Sequence, residues 1–555
     1  HFSNIGSRLF IRLQEKKEVL TPSKDAVNLN VWHYRDEKLQ SQQLLNPGLA
    51  EYVGIVDLNT GKVSRLTQDN EYLDLGQYAS LGKGNDEWGL IQRMTFQPNV
   101  EFNVKYEYFL QSTTNDRRIK IDHKSYISPE GKYLIYFDTA MNCYFSYEIK
   151  TRLVRNISSS IKSVDWSPYP YSDYVIQRGI AGWLKSDAAV LIYDRNDIWQ
   201  LDPAAQKAPV NVTRGYGRQN NIRFNITQQE YPHVPEPFNA NEQLVLMAFN
   251  KKTKDNGFYR IRLGKNAVPE LLTMGPYTYH IYDLTNEAGG SAGTDPLKAK
   301  YAEAYIVHRQ SARESINFFF TKDLKQFLPL SAVYPEKNYN WYTTELHTWK
   351  TAEDVELQGV LYKPDNLDTT KKYPVIFYFY NSLSDDLNLY LPPMPSGGAL
   401  NISWFVSQGY LVFTPDLFFR RGEWSKSAVM ALESAAKHLS ALPYVNSKKL
   451  GIQGSSHGGD MVFDVAANSK LFAAACSVTG SANLITQYQS IGNSGEVFEF
   501  SVREIPGNLW QSLDKYIKNS AVFQADRTTT PMLIMNGRKD DRFRLSLEMF
   551  LDLRR

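Results

Sequence analysis

The run Gly454-Ser455-Ser456-His457-Gly458-Gly459 constrains this chain more than any other feature, because it follows the apolar stretch Leu450-Gly451-Ile452 and opens what reads as a helix. A G-x-S-x-G at a strand-to-helix junction makes a tight turn. Its small flanking residues let the central serine take a strained backbone conformation with the hydroxyl outward above a sheet. The C-terminal part of the chain must therefore hold a strand that feeds directly into a helix, and Ser456 is the candidate nucleophile. The same letters also occur in ordinary Gly- and Ser-rich turns, so the downstream sequence has to decide between the two readings.

Downstream, Pro531-Met532-Leu533-Ile534-Met535-Asn536-Gly537 reads as a short buried strand ending in a turn, followed by Arg538-Lys539-Asp540-Asp541-Arg542. In a hydrolase of this kind the acid follows the nucleophile and a histidine follows the acid. Asp540 is the candidate acid, whose task is to fix a histidine tautomer and stabilise the imidazolium formed during attack. The competing reading of an Asp-Asp-Arg loop is a solvated turn.

With Tyr373-Pro374-Val375-Ile376-Phe377-Tyr378-Phe379-Tyr380 ahead of them, these motifs resemble, in order, those of the prolyl oligopeptidase and dipeptidyl peptidase IV family of serine peptidases. Specific motifs carry the resemblance in the C-terminal part, and architecture alone in the rest. Trp32 to Gln43 also resembles segments of bacterial members. The resemblance implies that Ser456 attacks a scissile carbonyl, and that the oxyanion is held by the amide of His457 and the hydroxyl of Tyr380. It further implies that Arg542 hydrogen-bonds substrate carbonyls. From the residues alone, Tyr380 is equally a core-edge aromatic and Arg542 a solvated loop cation. The chain departs from the dipeptidyl members where they place a tyrosine after the serine and a W-x-x-Y segment around a proline pocket. His457, Ser481 and Leu484 stand there instead, which argues against strict proline specificity. Glu230, Glu236 and Glu242 are isolated and form no pair for a substrate's amino terminus.

Histidines fall at 1, 33, 123, 233, 280, 308, 347, 438 and 457, and none follows Asp540. His457 belongs to the elbow and His438 to a helical run, Ser427 to Leu442, so neither is expected to serve as base. The expectation is a C-terminally incomplete chain whose closing strand, helix and catalytic histidine lie beyond residue 555, inactive as it stands. A degenerate enzyme that never had the base is the alternative.

The first 335 or so residues read as short strands joined by Gly, Asn, Asp and Lys turns, a spacing that suggests blades of a β-propeller of seven or eight blades, with a pair of β-sandwiches as the rival. Tyr133 to Phe137 with Tyr144 to Ile149, Val190 to Tyr193 with Ile198 to Leu201, and Leu244 to Phe249 with Phe258 to Leu263 are such pairs. The 35 Tyr, 28 Phe and 10 Trp suit sheets, where aromatic cross-strand pairs stabilise. From Thr344 the pattern turns to strand and helix alternation, the signature of an α/β-hydrolase sheet. The expected division is residues 1–338 as propeller and 339–555 as catalytic domain.

Charge is nearly balanced, 62 Lys+Arg against 59 Asp+Glu, which gives no electrostatic case for nucleic acid or an anionic membrane. No apolar stretch is long enough to span a bilayer. Cys143 and Cys476 are expected free and buried, and no metal or cofactor is implied. Sequons at Asn156, Asn211, Asn225 and Asn401 do not establish secretion, although the reading leans to a periplasmic or secreted compartment. The expected partner is a peptide substrate, and a homodimer is compatible with these features. Two other readings stay open: an esterase or acylaminoacyl hydrolase on the same machinery, and an inactive propeller-hydrolase that binds peptides.

Overall fold

The computed structural model describes residues 6–14, 29, 31–33, 35–36, 39–45, 51–73, 87–96, 104–162, 164–166, 178–227, 236–279, 281–282, 291–292, 296–393, 398–491 and 505–555. Glu230 and much of the segment from Trp32 to Gln43 lie outside them or in isolated fragments. Within these residues the chain before 330 forms antiparallel meanders. A three-stranded sheet (Arg8–Gln14, Glu51–Asp57, Val63–Arg65) is followed by five four-stranded ones, with a two-stranded ribbon before the fifth. Six blade-like sheets are thus present among the described residues, against the seven or eight expected for the whole propeller.

The third four-stranded sheet comprises Ile180–Trp183, Val190–Tyr193, Ile198–Leu201 and Val210–Asn211. The fourth comprises Ile222–Ile226, Gln243–Asn250, Asn256–Arg262 and Glu270–Gly275. Strand Ile222–Ile226 alternates apolar and polar residues, whereas Ile180–Trp183 and Val190–Tyr193 are buried throughout and pack on both faces: Leu191 and Ile198 share a core with Phe224, Leu246 and Tyr259 of the fourth sheet, and Ile180, Val190 and Ile192 one with Ile135 and Tyr144. The tight turns use local chemistry. Asp194 Oδ1 accepts the amides of Asn196 (2.7 Å) and Asp197 (2.5 Å), which closes the turn between Val190–Tyr193 and Ile198–Leu201.

From Tyr342 a single seven-stranded sheet takes over. Its spatial order is Tyr342–Lys350, Glu356–Pro364, Leu411–Pro415, Tyr373–Tyr378, Val445–Ser455, Ala474–Val478, Met532–Met535. The first two pairings are antiparallel and the remaining four parallel. Parallel neighbours need crossover connections, and the helices supply them on both faces. Helix Trp424–Ser440 places Ala428, Leu432, Ala435 and Leu439 at helical spacing against Val375, Phe377 and Phe413, while helix Ile402–Ser407 packs Ile402 and Val406 against Val360, Tyr362 and Val412 on the opposite face. An open α/β sheet of this kind has its crevice outside the strands' carboxyl ends.

The turns between the second and third strands of the fourth and fifth four-stranded sheets meet this domain. Lys254, only 4% exposed, pairs with Asp385 at 2.8 Å, and its carbonyl accepts from Asn388 Nδ2 at 2.9 Å. Lys252 O accepts from Gln358 (3.0 Å), Ala312 O from Trp341 Nε1 (2.8 Å), and Arg313 pairs with Asp365 (3.0 Å). Both cysteines are free, as expected, but each is half-buried rather than buried.

Candidate active site

Strand Val445–Ser455 runs without a loop into helix His457–Asn468, and the junction residue Ser456 has φ 53° and ψ −119°. A non-glycine residue rarely adopts this conformation, which persists only when its surroundings over-determine it. Here they do. The Ser456 amide donates to Val478 O (2.8 Å) and Thr479 Oγ1 (3.2 Å) on the neighbouring strand's exit, and Ser456 O accepts the Asp460 amide at 3.1 Å. The flanking glycines are sterically required: a Cβ on Gly454 would sit 2.3 Å from Gly458 O, and one on Gly458 would sit 2.7 Å from Phe379 O. Ser456 is half-buried and Ser455 buried.

Strand Tyr373–Tyr378 lies beside the elbow strand, and two residues past it Tyr380 comes to the elbow. Its ring stands edge-on to that of His457 with centroids 6.3 Å apart. His457 is 7% exposed and lies edge-on to Trp424 (4.3 Å). Its Nδ1 is 3.3 Å from Asp460 Oδ2.

Asp540 occupies the turn between strand Met532–Met535 and helix Phe543–Arg554. Its amide donates to Gly537 O (2.9 Å), and its Oδ1 accepts the Arg542 amide (2.8 Å). The Arg542 side chain, only 19% exposed, reaches back to the elbow. Its Nη1 is 3.7 Å from Asp460 Oδ1 and 3.5 Å from Thr479 O. Asp460 is itself buried and also accepts the Ser481 amide. The structure thus gathers Ser456, His457 and Tyr380 at the elbow, and Arg542 ties the Asp540 turn to it. His438 is elsewhere, hydrogen-bonded to His347 at 3.0 Å, and burial lowers the pKa of both imidazoles.

Two groups at this sheet edge were not singled out from the sequence. Asp460 is the hub through which Arg542 and His457 meet, and only its place one turn into the elbow helix hinted at that. Asp416, just past strand Leu411–Pro415, takes hydrogen bonds from the Ser384 amide (2.8 Å) and hydroxyl (2.5 Å), and burial pushes its carboxyl up to about 6. A cavity of about 910 Å³ between helix Trp424–Ser440 and the end of strand Tyr342–Lys350 is lined by none of the predicted site residues. Among the described residues no group of three or more His, Cys, Asp or Glu could hold a metal ion, and no helix is long and apolar enough to cross a membrane.

Blade-like meanders ahead of a mainly parallel sheet with a serine elbow define the class: a β-propeller followed by an α/β-hydrolase domain. Residues 398–554 match the prolyl oligopeptidase family of peptidases. Over these residues the match agrees with the resemblance to the prolyl oligopeptidase and dipeptidyl peptidase IV family read from the motifs. It is 26% identical over 222 residues to dipeptidyl-peptidase 5 of Porphyromonas gingivalis, a match covering 36% of this chain and 30% of that protein. Among solved structures it is similar to dipeptidyl peptidase 4 of P. gingivalis, with a TM-score of 0.57 at 15% identity over 91% of this chain and 75% of that one. It is likewise similar to prolyl oligopeptidase B of Galerina marginata, with a TM-score of 0.54 at 13% identity over 91% and 71%. At such identities the two structures speak for the fold alone.

Proposed function

We propose that this chain is a serine peptidase acting on oligopeptides through an acyl-enzyme on Ser456, with residues 1–338 as propeller and 339–555 as catalytic domain. The observation that carries the reading is the backbone of Ser456, held at φ 53° by two strand-exit partners and the glycines around it. A strained serine at a strand-to-helix junction presents its hydroxyl above the sheet edge, which a merely structural serine does not require.

In this reading Ser456 Oγ attacks the scissile carbonyl carbon and passes its proton to a base, and the carbonyl π pair moves to oxygen. The amide of His457 and the hydroxyl of Tyr380 donate to that oxyanion. Collapse of the tetrahedral species breaks the C–N bond, the base returns the proton to the leaving amine, and water then releases the acyl group by the same steps. Asp540 serves as the acid that orients the base, a histidine by the logic of the triad. His457 does not suit that role, because its Nδ1 faces Asp460 and its ring packs on Trp424. Arg542 is assigned to substrate carbonyls; its present reach to Asp460 and Thr479 O keeps it beside the elbow, where it can turn to them.

The test is covalent labelling of the native protein, purified from its source, with a fluorophosphonate, followed by peptide mapping. Label on Ser456 that is lost in Ser456→Ala and kept in Ser455→Ala is the expected result. Label retained in Ser456→Ala removes the assignment.

A further inference from the structure

Four cations collect at one end of the third and fourth four-stranded sheets, and the fold explains why they meet. Ile180 pairs with Ile192, so the start of the third sheet's first strand lies beside the end of its second, where the turn carrying Arg195 begins. Arg223 pairs with Phe249 in the same way, and the turn from Lys251 to Asp255 follows. Arg178 and Arg195 therefore share an end in one sheet, and Arg223 and Lys251 in the next. Side chains bridge the two: Arg178 donates to Asp194 O (2.8 Å) and across to Phe224 O (2.9 Å), while Lys251 Nζ donates to Asn196 Oδ1 (3.0 Å).

The acids present do not balance them. Asp194 is fully buried, but its Oδ1 is taken by two amides and its Oδ2 by Trp199 Nε1 (2.8 Å), with Arg218 at 3.6 Å. Asp165 pairs with Arg195 at 2.5 Å. The guanidinium of Arg223 lies on the Phe249 ring, 4.9 Å from its centroid, with no carboxylate partner among the described residues, and Lys251 has only the neutral Asn196. Burial first, then the fields of Arg195, Arg223 and Arg178, pull the Lys251 ammonium down to about 8, against a weaker opposing pull from Asp194. Half-buried like charges without counter-charge destabilise the fold that holds them together, and an anion between them reverses the sign.

This end of the propeller faces the catalytic domain. The turn that carries Lys251 is the one whose Lys252 carbonyl meets Gln358 and whose Lys254 meets Asp385, in the short helical turn Ser384–Asp386 that follows Tyr380. We infer that Arg178, Arg195, Arg223 and Lys251 form a binding site for a carboxylate of a peptide ligand, on the propeller face turned toward the hydrolase sheet. That the ligand is a peptide rests on the peptidase reading; that the site takes a carboxylate rests on the cluster. Two carboxylates fit the chemistry, an acidic side chain and a free C-terminus.

Three dansyl-labelled alanine hexapeptides separate the sources: one neutral with an amidated C-terminus, one with a glutamate and an amidated C-terminus, and one neutral with a free C-terminus. Their affinities are read by fluorescence anisotropy on Ser456→Ala protein, so the outcome does not depend on turnover or on Ser456 being the nucleophile. At least one carboxylate-bearing peptide should bind about ten- to a hundredfold more tightly than the neutral amide, the range of a charge-assisted hydrogen bond. Which one does so identifies the source. The preference should vanish in Arg223→Gln and in Lys251→Gln and survive in Lys251→Arg, with thermal melts showing each variant folded. Equal affinity for all three peptides, no binding of any at millimolar concentration, or a preference that survives both glutamine substitutions in folded protein overturns the site.

Discussion

At Ser456 the backbone geometry is imposed by space. Gly454 leaves no room for a methyl group, since its Cβ would lie 2.3 Å from a carbonyl oxygen of the helix it feeds. Gly454→Ala should therefore push the helix start away from the strand and destabilise the domain by about 1–3 kcal/mol, the range of overpacking, read as a lower urea midpoint. Tyr380 tests a different quality. On the proposed reading its hydroxyl acts mainly in the transition state, so Tyr380→Phe should lower kcat about ten- to a thousandfold with a smaller change in KM. An unchanged kcat in a folded variant would reduce the tyrosine to its packing against His457.

At the scale of elements, the elbow helix and the acid turn are held in register by Arg542, whose guanidinium meets Asp460 and Thr479 O from the turn that follows strand Met532–Met535. Arg542→Ala leaves a buried carboxylate short of a cation, and should lower stability by about 1–3 kcal/mol. Arg542→Lys should restore part of it, because an ammonium keeps a positive charge near Asp460 but lacks the planar guanidinium that reaches both Asp460 and Thr479 O through Nη1. Paired urea titrations of the two variants distinguish this tie from a purely solvated arginine, for which neither change would register.

Such ties mark where the sequence stops being readable. Strands Val190–Tyr193 and Ile198–Leu201 are legible to the residue, because apolar runs are cut cleanly by Asp194-Arg195-Asn196-Asp197. The helix expected over Ser427 to Leu442 is present but runs Trp424–Ser440, and it and the strand-serine-helix junction follow from periodicity and from the glycines. Strand Ile180–Trp183 carries too short a pattern to separate from a loop, and among the described residues most sheets have at least one outer strand of only two or three residues. Asp460 looks like a polar residue in a helix until Arg542 arrives from a distant turn, and no local pattern records that meeting.

At the scale of the molecule, the interface between propeller and hydrolase holds a titrating group. Asp416 is half-buried beside the buried Ser384, with Lys254 and Asp385 facing it, and desolvation is the chief reason its carboxyl stands near 6. An unfolded chain ionises this residue near pH 3.9. Between about pH 4 and 6 the folded state therefore keeps a proton that the unfolded state has released, and this residue's contribution to stability falls as pH rises through that window. Asp416→Asn removes the titration. Its stability relative to wild type should climb by about 3 kcal/mol from pH 4 to pH 7 and stay level above and below, in urea unfolding at each pH. A flat difference across the window would place Asp416 in water.

The turn from Lys251 to Asp255 belongs at once to two tasks. Lys252 and Lys254 clasp the hydrolase domain, while Lys251, one residue earlier, leans into the cationic cluster. Clasp and cluster therefore share one short piece of backbone, and a change in the posture of either is felt by the other. By thermodynamic reciprocity, whatever steadies Lys251 also steadies the clasp, and a loosened clasp weakens the hold on an anion by the same factor. On this geometry, an occupied cluster makes the two domains harder to part.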